Sequence, residues 1–367
     1  MMGEHPLPFD ASLEAYERQA DALLDALRAG NHDAEWCFKW EHPRFRGKSV
    51  DEVHTARLGP GDARIVVARM YGFATWEHLA AFADAVTHEV SVIRFETAVE
   101  AIVSGDVATL GAMLQAHPEL VRARSMRRHG ATLLHYVAAN GVEGARQKTP
   151  ANGVEVARML LDAGAEVDAL ADMYEAKCTT MSMLVSSSPP AEAGLQAALA
   201  ETLLDYGAAL EGPGSNWQSA LMTALTFGFL STAETLAKRG APADTLPAAA
   251  GLGRLDDAVR LLPGADPAAR HVALALAAQL GHPAIVELLL DAGEDADRYN
   301  PDGYHSHATP LHQAVSSDRA DVVTLLVERG ARLDIRDTIY HSTPLGWATY
   351  LGRAAIAEYL RARGAPT

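Results

Sequence analysis

Residues 309–333 read Thr-Pro-Leu-His-Gln-Ala-Val-Ser-Ser-Asp-Arg-Ala-Asp-Val-Val-Thr-Leu-Leu-Val-Glu-Arg-Gly-Ala-Arg-Leu. Thr309 suits a helix N-cap, because its hydroxyl can accept an otherwise unpaired backbone N–H, and Pro310 suits the first helical position. A second amphipathic segment follows and ends at Gly330, where a left-handed C-terminal cap favours a residue without a side chain. The stretch therefore predicts two short consecutive helices.

The apolar ending of this stretch, Leu-Val-Glu-Arg-Gly at 326–330, has five related copies along the chain. The glycines that end the related copies are Gly164, Gly207, Gly240, Gly293 and Gly364. Successive glycines of the six are separated by 43, 33, 53, 37 and 34 residues. Periods of about 33 residues indicate stacked helical hairpins rather than one closed globule.

The Thr-Pro-Leu-His start, the two short helices and the Leu-Leu-x-x-Gly-Ala end resemble ankyrin repeats. Residues 309–333 carry the closest match and 343–366 the next, and the resemblance covers about residues 94–367. It implies an all-α ankyrin-repeat solenoid of about eight repeat units, if the degenerate segment near 246–265 counts as one. The resemblance also implies a concave face, lined by extended fingers before each inner helix, that binds a protein partner.

Residues 1–88 lack the glycine phrase and predict a small helical cap in front of the array. We expect helices at about 11–29, 62–71 and 75–87, joined by a loop around His42-Pro43-Arg44. A terminal unit with a polar outer side covers the apolar face that a repeat array exposes at its end. This segment resembles a helical segment that often precedes such repeats in bacterial proteins.

Two enlarged helix-to-helix turns interrupt the regular pattern, at 142–153 and at 186–194. The first enlarged turn carries Glu143, Arg146, Gln147 and Lys148, a dense set of polar side chains. Loops on a rigid scaffold often carry function, so this neighbourhood is a candidate binding site. A solvated charged loop is the alternative interpretation.

Two sets of residues are candidates for a functional site, one for each of two hypotheses. Binding of a partner would use polar and aromatic side chains of the fingers and of the first enlarged turn: Arg146, Lys148, Tyr174, Lys177, Trp217, Tyr304, His305, His307, Tyr340 and His341. The alternative is an enzyme or small-molecule-binding protein with lyase, isomerase or hydrolase chemistry in the groove, with these acid/base candidates: His135, Tyr136, Glu143 and Asp172. Acid/base catalysis needs such groups within hydrogen-bond reach of one substrate, which spacing alone does not establish.

Three residues, one of them the acid/base candidate His135, have structural interpretations. His135 and His312 stand where ankyrin repeats use histidine in a hydrogen bond near the helix start. Trp347 follows a small residue, Gly346, and is expected in the core of the last inner helix.

The composition argues against several classes of function. With 47 acidic and 31 basic residues the formal charge is −16, so we expect no nucleic-acid partner, because phosphate contacts need clustered cations. We expect no export or membrane insertion, because the chain has no signal-peptide pattern and no apolar window of about 18 residues. Cys37 and Cys178 are the only cysteines, which predicts a reduced, cytoplasmic protein. No cofactor or bound metal is predicted, although His305 and His307 are spaced to point the same way on an extended finger.

Overall fold

The computed structural model describes residues 6–211 and 219–366. The chain divides into two compact units, Met1–Asn216 (unit 1) and Trp217–Thr367 (unit 2). The described residues are mostly helical, and none of their helices is long and apolar enough to cross a membrane.

Unit 1 begins with a helical segment that has its own apolar core. Its five α-helices are Leu13–Arg28 (α1), His32–Glu41 (α2), Val50–His54 (α3), Pro60–Met70 (α4) and Trp76–His88 (α5). The expected helices near 11–29, 62–71 and 75–87 are confirmed, whereas α2 and α3 were not expected. Helix α2 forms because the Asn31 side chain caps the Ala34 amide at 3.0 Å and because Phe38 is buried in the core. The expected loop at 42–44 contains a short 3-10 helix, Pro43–Phe45.

Three helical repeats follow in unit 1. Their helices are Val90–Ser104 (α6) and Val107–Ala116 (α7), Leu133–Val137 (α8) and Gly153–Asp162 (α9), and Thr180–Leu184 (α10), Ser188–Glu192 (α11) and Gln196–Asp205 (α12). The first enlarged turn contains a single 3-10 turn at Gly144–Arg146, and the second contains the extra helix α11. The finger before α10 is an antiparallel hairpin of Ala171–Met173 (β1) and Ala176–Cys178 (β2).

Unit 2 holds five more helical repeats. Their helices are Ala220–Thr226 (α13) and Leu230–Lys238 (α14), Leu246–Gly251 (α15) and Leu255–Leu261 (α16), Pro267–Leu280 (α17) and Pro283–Asp291 (α18), Pro310–Ser316 (α19) and Ala320–Glu328 (α20), and Pro344–Tyr350 (α21) and Ala354–Ala362 (α22). The degenerate segment near 246–265 forms the pair α15 and α16, which explains the 53-residue interval between glycine phrases. The expectation of about eight repeat units is therefore confirmed.

The helices of unit 2 stack as two rows. The inner helices α13, α15, α17, α19 and α21 contact one another in succession, and the outer helices α16, α18, α20 and α22 do the same. Leu274, Leu311 and Leu345, from successive inner helices, lie in one buried apolar cluster. Burial of this continuous core between neighbours stabilises repeats that could not fold alone.

The predicted helix ends are also confirmed. The six phrase-ending glycines all have left-handed backbone conformations, with φ from 81° at Gly364 to 97° at Gly240. At the helix starts, the Thr343 hydroxyl accepts the Gly346 amide at 3.2 Å. The repeated phrase thus encodes the ends of each hairpin locally.

Candidate functional site

Two concave surfaces, one within each unit, together hold six of the fourteen candidate residues. The finger groove of unit 2 has a volume of about 620 Å³ and is lined by His305, His307, Gln313, Ser316, Tyr340, Ser342, Trp347, Tyr350 and Leu351. The arginine cleft of unit 1 has a volume of about 500 Å³, and its polar lining includes Glu41, Arg46, Arg69, Arg128, His129, Glu143, Gln147, Asp172, Tyr174 and Glu175.

Aromatic rings dominate the finger groove. The His307 ring centroid lies 5.8 Å from that of Trp347 and 6.5 Å from that of Tyr340. His305 packs edge-on against His307 with 6.1 Å between ring centroids. Tyr340 is 69% exposed and Tyr350 is 90% exposed, so these two rings face solvent at the groove.

A buried carboxylate holds the groove in shape. Asp337 accepts hydrogen bonds from the amides of Ile339, Tyr340 and Ser342 at 2.6–2.9 Å. It also accepts the indole N–H of Trp347 at 3.0 Å. Burial alone would raise the pKa of Asp337, but these hydrogen bonds hold the pKa below its usual value. Asp337 therefore fixes both the finger that carries Tyr340 and the orientation of the Trp347 ring.

The finger groove is lined by aromatic, histidine and neutral polar side chains together with Leu351. None of its lining residues is an aspartate, glutamate, lysine or arginine. Burial, with a smaller contribution from His305, lowers the pKa of His307, which favours its neutral form. His305 Nε2 lies 2.9 Å from the Thr226 carbonyl oxygen and donates to it. The groove therefore offers aromatic surface and neutral hydrogen-bonding groups.

The candidate residues of unit 2 are only partly gathered by the groove. His305, His307 and Tyr340 line it, whereas half-buried Tyr304 and exposed His341 do not. Trp217 lies outside the described residues.

Several groove residues were not among the sequence candidates. Trp347, expected in the core, packs partly against the core and also forms part of the groove wall. Ser316 and Tyr350 occupy equivalent positions of successive inner helices, seven residues after Thr309 and Thr343. This shared phase is the signal that could have identified them.

The first enlarged turn of unit 1 carries a buried ion network rather than a solvated loop. Arg146 Nη1 lies 2.6 Å from Glu96 Oε2 and 3.0 Å from Glu143 Oε1, and its Nη2 lies 2.7 Å from Glu100. Arg127 contacts Glu96 at 2.6 Å and Glu143 at 2.5 Å. Burial alone would raise the pKa of Glu143, but the two guanidinium groups, with His129, hold the pKa below its usual range. Lys148, by contrast, is exposed.

The finger hairpin of unit 1 presents three candidate residues to solvent. Asp172 and Lys177 face each other across the two strands and form an exposed ion pair at 2.6 Å. Tyr174 and Glu175 form the turn, with φ of 50° and 65°. A two-residue hairpin turn of type I′ needs positive φ at both residues, which residues other than glycine, asparagine and aspartate rarely adopt. The Tyr174 hydroxyl donates to Asn140 Oδ1 at 2.6 Å, and Arg46 pairs with Glu175.

The histidines and carboxylates do not gather into a metal site in the described part of the chain. In 6–211 and 219–366, no group of three or more histidine, cysteine, aspartate or glutamate side chains is placed to hold a metal ion.

Comparisons with known proteins agree with this architecture. A family model described as ankyrin repeats, in three copies, matches residues 246–337 and 274–366. Human cyclin-dependent kinase inhibitor 2A is 33% identical over 132 residues, which cover 34% of this chain and 80% of that protein. The chain belongs to the ankyrin-repeat family. The ankyrin repeat and KH domain-containing protein mask-1 of Caenorhabditis elegans is 30% identical over 149 residues, which cover 40% of this chain and 5% of mask-1. Membership in the ankyrin family supports protein–protein interaction in general.

Two histidines at equivalent ankyrin positions make equivalent contacts. His135 Nδ1 lies 2.8 Å from the Thr132 hydroxyl, and its Nε2 lies 3.3 Å from the Cys178 carbonyl oxygen. His312 makes the same pair of contacts, at 2.8 Å to Thr309 and 3.2 Å to the carbonyl oxygen of the next finger. Burial lowers the pKa of His135 to about 4. Both histidines therefore tie a helix start to the following ankyrin finger.

The acid/base candidates of this ankyrin protein occupy different environments. Glu143 and Asp172 line the arginine cleft, whereas His135 and Tyr136 are buried and do not. The Tyr136 hydroxyl lies 3.4 Å from Glu143 Oε1, and burial raises the pKa of Tyr136. This placement favours packing roles for His135 and Tyr136.

Proposed function

We propose that unit 2 binds an extended segment of a protein partner in the finger groove. The observation that carries this proposal is the convergence of Tyr340, Tyr350 and Trp347 on one groove of about 620 Å³ whose lining holds no carboxylate, lysine or arginine. Exposed aromatic side chains that line a groove are typical of binding hot spots, because they bury a large area at low entropic cost.

The lining indicates what kind of segment would bind. An apolar or aromatic side chain of the partner would pack against Trp347 and His307, whose rings lie 5.8 Å apart. Gln313, Ser316 and Ser342 offer neutral donors and acceptors to the backbone of the segment. A segment with a charge at its centre would bind poorly, because the groove offers no opposite charge.

The names of the relatives support a protein as the class of partner. The human relative is named as an inhibitor of a kinase, so its name describes action on another protein. Cys37 and Cys178 are both free thiols, which supports a reducing, cytoplasmic setting.

Photo-crosslinking from inside the groove tests the proposal. A photoreactive phenylalanine analogue at position 350, which is 90% exposed, would capture a bound segment when the chain is irradiated in its cell extract. The matched control places the same analogue at exposed position 358 on outer helix α22. We expect a discrete adduct from position 350 that Tyr340→Ala weakens. Equal adducts from both positions, or none from position 350, would contradict groove binding.

A further inference from the structure

The finger groove of unit 2 contains polar side chains whose hydrogen-bonding groups are unused within the described residues. Gln313 is 5% exposed, and neither its side-chain amide nor the Ser316 hydroxyl makes a hydrogen bond within residues 6–211 and 219–366. The His307 ring packs against other rings but makes no hydrogen bond within the same residues. All three side chains line the groove. Each of them can donate to a carbonyl oxygen, so the groove offers donors to a bound segment.

The rest of the lining is mainly aromatic surface. Asp337 accepts the indole N–H of Trp347 at 3.0 Å, so Trp347 contributes its ring rather than a donor. Tyr340 and Tyr350 are 69% and 90% exposed and add further ring surface. Leu351 is the one aliphatic side chain among the described lining residues. A bound segment would therefore contact rings and donors more than aliphatic side chains.

Three common modes of peptide recognition do not match this surface. Addition of a strand needs an exposed sheet edge, and residues 219–366 form no strand. An amphipathic helix buries its apolar face in a hydrophobic groove, whereas Leu351 is the one aliphatic residue of this lining. Acidic and phosphorylated motifs bind arginine clusters, and the described lining residues include no arginine or lysine. The mode that remains is docking of a polyproline II segment in an aromatic-lined groove.

A proline-rich segment complements the finger groove in hydrogen bonding, charge and shape. Proline has no backbone N–H, so such a segment presents carbonyl acceptors and needs donors from its binding site. Charge complementarity agrees, because an uncharged segment meets a lining without aspartate, glutamate, lysine or arginine. The polyproline II conformation is largely formed before binding, so ordering of the segment costs little entropy.

We propose that the partner segment is rich in proline and binds the finger groove as a polyproline II helix. Its proline rings pack on Trp347, Tyr340 and Tyr350. Its backbone carbonyls accept hydrogen bonds from His307, Gln313 and Ser316. Polyproline II has three residues per turn, so prolines three positions apart face the aromatic rings together. This inference rests on the proposed function, the binding of a protein segment in the same groove.

Selection from a random peptide library tests the proposal before any partner is known. A phage-displayed library of random dodecapeptides is selected on the unmodified full chain. Clones that also bind Tyr340→Ala are removed, and circular dichroism checks that this variant is folded. We expect the remaining sequences to be enriched in pairs of prolines three positions apart, relative to the unselected library.

Titration calorimetry with one selected peptide measures the two contacts separately. Replacement of both prolines by alanine in the peptide should weaken binding at least about tenfold, because the ring contacts and the preformed conformation are lost. Gln313→Leu removes a donor at similar volume and should weaken the same peptide about tenfold. The matched control, Val259→Ala on outer helix α16, should change the affinity less than about twofold.

The outcomes distinguish this proposal from the proposed function. Selected sequences that depend on Tyr340 but lack paired prolines would overturn the proposal and leave groove binding of a segment intact. Absence of any sequence that depends on Tyr340 would overturn both. Equal affinity of the proline peptide and its alanine counterpart would also overturn the proposal, and this comparison needs no variant of the protein. Loss of affinity to the same extent in Gln313→Leu and Val259→Ala would overturn the assigned donor contact.

Discussion

Arg146 Nη1 lies 2.6 Å from Glu96 Oε2, and both side chains are buried. This contact joins the first enlarged turn to α6, across 50 residues of sequence. Arg127 extends the network to the N-terminal segment, because its Nε donates to the Tyr71 carbonyl oxygen at 3.2 Å and its guanidinium lies over Phe82. The enlarged turn therefore links the N-terminal helices to the first repeats of unit 1.

Breaking this network should strongly destabilise the protein. Arg146→Ala leaves Glu96 and Glu143 buried with one guanidinium fewer, and loss of one partner of a buried ion pair costs about 3–5 kcal/mol. Chemical denaturation measures the change in the free energy of unfolding. The control, Lys177→Ala, breaks the exposed pair with Asp172 and should cost less than about 1 kcal/mol. Similar losses in the two variants would show that the network contributes little.

The repeat architecture could be predicted from sequence because its signals are local. The cap at Thr343 and the turn at Gly330 each depend on a few consecutive residues, so they recur in the sequence as well as in the fold. The buried network could not be predicted in this way. Glu96 and Arg146 are far apart in sequence, and a charged residue in a turn is more often solvated than buried.

The pH dependence of the free energy of unfolding should depend on the buried histidine of α8, His135. His135 has a pKa of about 4 in the folded protein, against 6.5 as its ordinary value. The unfolded chain therefore binds a proton first as the pH falls, so stability is full above pH 6.5 and decreases down to about pH 4. The decrease from this residue is at most about 3 kcal/mol.

Unfolding titrations at several pH values test this expectation. His135→Gln should flatten the profile in that window, whereas His341→Gln, at an exposed position, should leave it unchanged. An unaltered profile in His135→Gln would contradict a neutral buried His135.

The repeated glycines should be required because their φ is positive, and not because a side chain at these positions would clash with a neighbour. Gly330 has a φ of 92°, and no atom lies within 4 Å of the point that an alanine Cβ would occupy there; Gly264 has equal space but no positive φ. Gly330→Ala should therefore destabilise unit 2 by about 1–2 kcal/mol, the cost of a left-handed conformation with a side chain. Gly264→Ala should be neutral or stabilising, since it restricts the unfolded chain. Thermal unfolding of the two variants gives the comparison, and equal effects would rule out the conformational explanation.

Asp337 should stabilise the conformation of the finger that carries Tyr340 without itself contacting a ligand. Asp337→Ala removes the acceptor for three amides, so hydrogen exchange at Tyr340 and Ser342 should accelerate. The matched control is Asp334→Ala, whose carboxylate pairs with Arg332 at the surface. Unchanged exchange in Asp337→Ala would mean that the turn is held by other contacts.

Part of the finger groove could be predicted from the sequence. His305, His307 and Tyr340 lie on the fingers just before the helix starts at Thr309 and Thr343, which is visible in the sequence, and the groove contains all three. The role of Trp347 was not visible, because its position depends on a hydrogen bond to Asp337, ten residues earlier on another element. Arg69 and Arg128 were missed because their proximity arises from packing of the N-terminal segment against the first repeats.

Affinity for the captured partner segment tests whether unit 2 binds its partner through the finger groove. The measurement is the dissociation constant of the synthetic segment identified by crosslinking, for the unmodified chain, Tyr340→Ala and Val259→Ala. Val259 is an apolar residue of outer helix α16 that is 51% exposed and lies outside the groove. Groove binding predicts that Tyr340→Ala weakens the segment at least about tenfold and that Val259→Ala changes it less than about twofold. Equal affinity of the unmodified chain and Tyr340→Ala would contradict the claim.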